Sequence, residues 1–241
     1  MLPFFYHQPL PESPGTLLLD EATSRHCVQV LRMQAGAQML LTDGEGGKAT
    51  ATILAPDRKK CLVRVAALHH TLRRPVCLSI GIALTRNKAR NEWFLEKATE
   101  LGVEHIFPLI SERSEKEKFN AERYRQILIA AMLQSQQVYL PELHLPQKLS
   151  GFLRSSSREP VNEQKFIAHC LDDKEKLPLI AALEKEKHCL MLIGPEGDFT
   201  PEEVAACREA RFGTIGLGVT RLRTETAGLY ACTVFNAFHY G

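Results

Sequence analysis

From Val76 onward, strand-type and helix-type runs alternate along the chain, and this alternation restricts the fold more than any other property of the sequence. Residues 76–84, apolar but for Ser79 and Gly81, read as a buried strand. Residues 91–101 set Phe94, Ala98 and Leu101 on one helical face and stop at Gly102, and 103–110 are again strand-like. Asn120 is placed to cap a helix in which Tyr124, Ile127, Leu128, Ala131 and Met132 recur at helical spacing. A strand over 165–170, a helix over 178–187 and a strand over 189–193 follow. Thr200-Pro201-Glu202-Glu203 is a capping box with proline at the first helical position. A strand over 214–217 and a helix over 225–240 complete the pattern, and Ser155-Ser156-Ser157 reads as a polar loop. Such alternation implies α/β architecture: a mainly parallel sheet covered on both faces, with ligands at the carboxyl ends of its strands.

Before Arg73-Arg74-Pro75 the texture differs. Short β-type runs at 16–19, 38–41, 49–54 and 61–68 are separated by turn chemistry at Asp43-Gly44-Glu45-Gly46-Gly47 and Pro56-Asp57. One helix interrupts them, from Glu21 through Ala22, Val28, Val30 and Leu31 to a stop at Gly36. The expectation is a small β-barrel domain over 1–74 and a larger α/β domain over 75–241. The 241 residues carry a net charge of only +2. Up to residue 74, however, nine basic residues face six acidic ones, against 21 and 22 afterwards. The basic surplus sits in the small domain, which suits a polyanionic partner.

The seven cysteines are dispersed and never form C-x-x-C, and no H-E-x-x-H occurs among the nine histidines. Neither a zinc ribbon nor a disulfide framework is expected, and no metal site. The start has no signal-like character and no apolar run approaches the roughly 20 residues of a membrane span. The expectation is a reduced, cytoplasmic protein with no membrane partner.

The chemistry concentrates in three loops that follow the last three long strands. The first begins His169-Cys170. The second is Gly194-Pro195-Glu196-Gly197-Asp198-Phe199, whose glycines let the backbone approach a ligand closely but equally suit a plain strand-to-helix turn. It is neither a P-loop nor a G-x-G-x-x-G dinucleotide loop. The third runs from Gly216 to Ala227. Helix capping accounts for Thr224 and Glu225 there, but not for Arg221 and Arg223 beside a positive helix end.

Together, Gly194-Pro195-Glu196-Gly197-Asp198-Phe199 and Leu217-Gly218 with Leu222-Arg223-Thr224-Glu225-Thr226-Ala227 resemble the RsmE family of ribosomal RNA small-subunit methyltransferases. The segments 26–32, 96–102, 111–114, 134–135 and 140–141 match in order, so the resemblance covers nearly the whole chain. Where members commonly carry a further glycine after G-P-E-G, this chain has Asp198. The resemblance implies an N-terminal PUA-like barrel that binds RNA and a C-terminal SPOUT-type domain with a deep trefoil knot. It also implies a homodimer that uses S-adenosylmethionine to methylate N3 of one uridine in 16S rRNA of the small ribosomal subunit. Carried onto this sequence, the cofactor would be flanked by His169 and Cys170. Ile193, Gly194 and Gly197 would wrap it, and Leu217, Gly218, Leu222, Thr224, Thr226 and Ala227 would close around it.

Uridine N3 is a poor nucleophile until its proton leaves, so the reaction needs alignment and stabilisation of negative charge on O2 and O4. Arg223 is the first candidate for that stabilisation and Arg221 the second. Glu196 and Glu225 are the options for proton acceptor, and either alternatively holds loop geometry. Arg25, Arg32, Arg86 and Arg90 are the basic residues expected to track RNA, whereas Trp93, which offers a ring for base stacking, reads at helical spacing first as packing. Two rivals remain: a non-catalytic RNA-binding assembly protein on the same scaffold, and a nucleotide-dependent oxidoreductase, which lacks its glycine fingerprint here.

Overall fold

The computed structural model describes residues 2–115, 118–156, 163–173 and 175–241. Two compact units emerge: the chain up to Arg73 with Ile129–Leu140, and Arg74–Leu128 with Pro141–Gly241. This differs from a single cut after residue 74, because 129–140 groups with the first unit.

The first unit is built from β1 (Phe4–Tyr6), β2 (Gly15–Leu18), α1 (Glu21–Arg25), a π-helical turn at His26–Val30, β3 (Gln38–Thr42), β4 (Gly47–Ala55) and β5 (Leu62–His70). The strands form one sheet in the order β1-β3-β4-β5-β2, with β1 parallel to β3 and the rest antiparallel. Alternation decides its inner face: Met39 and Leu41, Ala49, Ala51 and Ile53, and Val63 and Val65 all point into one core. Asp20 caps α1 by accepting from Thr23 N at 3.0 Å. The helix does not run to Gly36. It relaxes into the π turn, and Arg32 at φ 53° swings the chain so that Met33 N reaches Cys27 O; the β-branched Val28 and Val30 favour ending there. The segment 129–140 supplies a clamp: Leu140 N donates to Gly44 O and Gly46 N to Val138 O, each at 2.8 Å. Gly46 has φ 100°, and a Cβ there would meet the Tyr139 hydroxyl at 2.3 Å.

The second unit carries β6 (Leu78–Ile82), α2 (Lys88–Glu100), β7 (His105–Ile110), the first half of α3 (Ala121–Gln134), β8 (Glu142–Leu143), β9 (Gln147–Lys148), α4 (Leu149–Ser156), β10 (Glu163–Ala168), β11 (Leu177–Pro178), α5 (Leu179–Ala182), β12 (His188–Ile193), α6 (Pro201–Glu209), β13 (Gly213–Gly216) and α7 (Thr224–Tyr240). The sheet order is β11-β13-β10-β12-β6-β7-β8, with β9 beside β7, and every pair is parallel. The central strands are buried nearly throughout, as a sheet covered on both faces requires. On one face α7 packs on α2, α5, β6 and β12. On the other, Phe152 and Leu153 of α4 and Val204 and Cys207 of α6 join Leu190 and Leu192.

Three local readings change. The helix expected over 178–187 is only α5, because buried Gln164 takes up the backbone beyond it. Its carbonyl accepts from Glu184 N at 2.9 Å, and its amide donates to Glu184 O and Lys187 O. Ser155 and Ser156 lie in α4 rather than in a loop, and Ser157 lies outside the described residues. Trp93 is 45% exposed on α2, so it is not core packing.

Candidate active site

β13, β10 and β12 are neighbours in register, with Ala168 opposite both Ile193 and Ile215. Their carboxyl ends therefore finish level, and the three loops leave side by side to wall a cleft of about 820 Å³. Hydrogen bonds tie the loops to one another. Cys170 N donates to Asp198 Oδ2 at 2.7 Å, joining the first to the second. The Thr224 hydroxyl donates to Gly194 O at 3.0 Å, joining the third to the second. Asp198 occupies φ 64°, a left-handed conformation that aspartate tolerates better than most residues. Gly218, at φ 113°, turns the third loop. Outside the cleft, Arg113 Nη1 donates to Gly197 O at 2.9 Å and braces the second loop from behind.

Charge is arranged in two groups. Asn87 caps α2 by accepting from Ala89 N and Arg90 N, and this aims Arg90 of the first turn into the cleft. There Arg90 Nη1 lies 2.5 Å from Glu196 Oε1 and its Nε 3.5 Å from Glu225 Oε1. Glu225 is buried, and its Oε2 has no hydrogen-bond partner among the described residues. The second group surrounds His169. Its ring is buried with neither nitrogen hydrogen-bonded among the described residues, although Nε2 lies 3.5 Å from Asp173 Oδ2. Burial, and then the Lys176 charge, push its pKa down, so the ring is neutral at neutral pH. Burial opposes ionisation of Asp173, but the Glu175 N–H, the Thr214 hydroxyl and the Arg208 guanidinium outweigh it and hold that carboxyl at about 2.

Of the expected cofactor residues, His169, Ile193, Gly194, Leu217, Gly218, Leu222, Thr224 and Ala227 line the cleft, as does Cys170. Gly197 and Thr226 do not line it; Gly197 abuts Arg113, and Thr226 is exposed on α7. Arg221, Arg223 and Glu196 border the same space, the two arginines exposed to solvent. Thr224 is not the cap of α7: Arg223 holds that position without a side-chain bond, and Thr224 is the first helical residue. Among the arginines expected to track RNA, Arg90 belongs to the cleft. Arg86 is exposed ahead of α2, and Arg25 and Arg32 are exposed in the first unit. Sequence reading missed Lys176, which also lines the cleft and donates to His169 O and Leu171 O at 2.8 Å each. Arg113 also escapes sequence reading as a brace, although it lies within the segment 111–114 that carries the resemblance.

Residues 72–236 match the family model described as an RNA methyltransferase domain, and 19–66 match the RNA methyltransferase PUA domain. The chain is 28% identical to ribosomal RNA small subunit methyltransferase E of Bacillus subtilis, over 95% of this chain and 92% of that one. A crystal structure of a probable rRNA-methyltransferase from Porphyromonas gingivalis superposes with a TM-score of 0.89 at 35% identity, covering 99% of this chain and 98% of that one. The ribosomal RNA small subunit methyltransferase E of Neisseria gonorrhoeae, solved bound to S-adenosyl methionine, superposes at 0.86 with 26% identity, covering 99% and 98%. With the level strand ends, the tied loops and a methyltransferase match across most of its length, the chain belongs to the RNA methyltransferase family that includes ribosomal RNA small subunit methyltransferase E.

Proposed function

We propose that this protein transfers the methyl group of S-adenosylmethionine to N3 of one uridine in 16S rRNA of the small ribosomal subunit. The observation that carries the reading is the cleft formed by three cross-tied loops, with Arg221 and Arg223 at its border. The residues present fit the cofactor. The cleft volume suits a nucleoside carrying an amino-acid tail. Ile193, Ile215 and Leu217 offer apolar surface to a base, and Gly216 and Gly218, which carry no side chain, line the same wall. The nitrogens of buried His169, without a hydrogen-bond partner among the described residues, suit a ligand's polar groups.

When bound, S-adenosylmethionine supplies a methyl group on a positively charged sulfur. The chain's own residues do the rest. Ile193, Gly194, Leu217, Gly218, Leu222, Thr224 and Ala227 hold the cofactor, and Gly197 and Thr226 act on loop geometry. Glu196, oriented by Arg90, accepts the N3 proton. Arg223, or Arg221 in its stead, stabilises the negative charge left on O2 and O4. Arg25, Arg32 and Arg86 contact RNA phosphates, and an unpaired uridine is required because pairing occupies N3.

The same reading includes a trefoil knot closed by the third loop, a homodimer and a cytoplasmic location. Among the described residues no helix is long and apolar enough to cross a membrane. Exposed Val219, Leu177 and Ile180 give a second copy an apolar surface, whereas Phe235 of α7 is buried within this chain and is unavailable to it. Labelled-methyl transfer to unmodified small subunits, followed by nucleoside analysis, tests the reading. The expected product is 3-methyluridine. A different methylated nucleoside overturns the assignment, and cofactor binding without any transfer favours a non-catalytic assembly role.

A further inference from the structure

The corner of the parallel sheet opposite the cleft carries a cluster of a different kind. The cleft opens at the carboxyl ends of β10, β12 and β13, whereas His105 stands at the amino end of β7, towards the other edge of the sheet. Glu142, the first residue of β8, is its direct partner in the ladder. His144 follows Glu142 by two positions, so strand alternation returns its side chain to the same face. The backbone there is pinned. Glu142 N donates to Glu104 O at 2.8 Å, and His144 N donates to Ile106 O at 2.9 Å. The ring of Phe107 lies flat on that of His144, with centroids 4.0 Å apart and planes 11° from parallel.

This scaffold brings three metal-binding side chains together. His105 Nδ1 lies 3.4 Å from His144 Nε2 and 3.4 Å from Glu142 Oε2. His105 Nδ1 is thus common to both short pairs, and one donor atom from each of the three residues falls within 4.8 Å of the others; the second nitrogen of the His144 ring, Nδ1, lies 3.6 Å from Glu142 Oε1 and is not needed by the same ion. A tetrahedral ion with bonds of about 2.0–2.2 Å keeps its ligand atoms about 3.3–3.5 Å apart, so the pairs at 3.4 Å already stand at that spacing.

We infer that His105, Glu142 and His144 form a binding site for a divalent cation of the zinc class, with the remaining coordination position open to solvent. Two imidazoles and one carboxylate match zinc-type preference, whereas magnesium and calcium favour oxygen donors. Glu142 is exposed and the two histidines are partly so, which gives an ion direct access. Once bound, the ion joins residues 39 positions apart and fastens the two-residue strand β8 to β7, closing the loop that carries α3. No C-x-x-C or H-E-x-x-H spacing announces such a site, because the sheet alone brings its halves together.

The test is calorimetric titration of the full chain with Zn²⁺ alone, with the absorption spectrum of the Co²⁺ complex as a second readout. Neither needs RNA or S-adenosylmethionine, so the result is independent of methyl transfer. One equivalent is expected to bind, with visible cobalt bands of tetrahedral nitrogen and oxygen coordination and no thiolate charge-transfer absorption. Zinc is expected to raise the melting temperature of the unaltered chain. His105→Ala and His144→Ala should each weaken binding by about a hundredfold or more, and Glu142→Gln, at an exposed position that spares the fold, should weaken it measurably. The site is overturned by lack of saturable one-equivalent binding or by a thiolate signature. Affinity unchanged in Glu142→Gln, or in a folded variant carrying both alanine substitutions, also overturns it.

Discussion

Asp198 carries a larger structural role than its place in a glycine-rich turn suggests. It accepts a left-handed φ of 64°, and its carboxylate ties two cleft loops through Cys170 N. Asp198→Ala keeps the strained φ and removes both the bond from Cys170 N and the local one from Phe199 N. It should lower stability by about 1 kcal/mol and weaken cofactor binding, as read by urea unfolding and calorimetry; unchanged affinity would show that the loops hold without it. Thr224 is the companion tie. Thr224→Val leaves the Gly194 carbonyl without its partner and should cost about 1–3 kcal/mol, whereas Thr224→Ser should restore most of the loss in the same unfolding assay. Asp173 gives a pH dependence of definite sign. Its folded pKa of about 2 lies below the ordinary 3.8, so its contribution is complete above pH 4 and disappears as pH falls towards 2. Urea midpoints across that interval should fall less steeply in Asp173→Asn than in the unaltered chain. Asp198 was visible in the sequence as a departure from a pattern. Its bond to Cys170 was not, because that bond exists only once β10 and β12 lie side by side.

Helix ends with their own local chemistry were the most legible elements. The Thr200–Glu203 box forms as read, with the Thr200 hydroxyl accepting from Glu203 N at 3.2 Å and Glu203 Oε2 accepting from Thr200 N at 3.0 Å. Glu203 Oε1 also accepts from Glu112 N at 2.8 Å, a long-range task that spacing could not reveal. Elements decided from a distance were misread. α5 is short because of Gln164, and α2 begins at Lys88 because Asn87, rather than a residue nearer Asn91, supplies its cap. The meeting of α7 with α2 is equally non-local. A Cβ on Gly228 would lie 2.6 Å from Phe94 Cε2 and 3.2 Å from Ile82 Cδ1. Gly228→Ala therefore gains about 1 kcal/mol of helix propensity but costs about 1–3 kcal/mol in overpacking. A net fall in melting temperature is expected, and a rise would mean that the two helices part more easily than their packing suggests.

For the whole molecule, charge division was readable from sequence and remains the basis of the RNA expectation. Arg25 and Arg32 lie in the unit that matches the PUA domain. Arg25 is paired with Glu21 at 2.5 Å, but both side chains are more than half exposed, so that pair binds weakly and yields readily to a phosphate. Replacing both arginines with alanine should lower the affinity for small subunits and reduce the slope of log K against log salt by about one to two, with cofactor affinity unchanged. The parallel sheet, and the edge at which its cleft opens, were legible because they follow from alternation alone. The strand order was not, since it depends on which distant strands share buried faces. That order also fixes a sequence of events in time. β6 occupies the middle of the sheet, yet one flank pairs with β12, where Ile82 meets Ile193 more than a hundred residues later. During synthesis the flank stands open until β12 arrives, and the floor of the cleft is unfinished until β13 follows. Contacts so far apart in sequence make assembly slow, and until it is complete a growing chain exposes apolar strand edges to its neighbours.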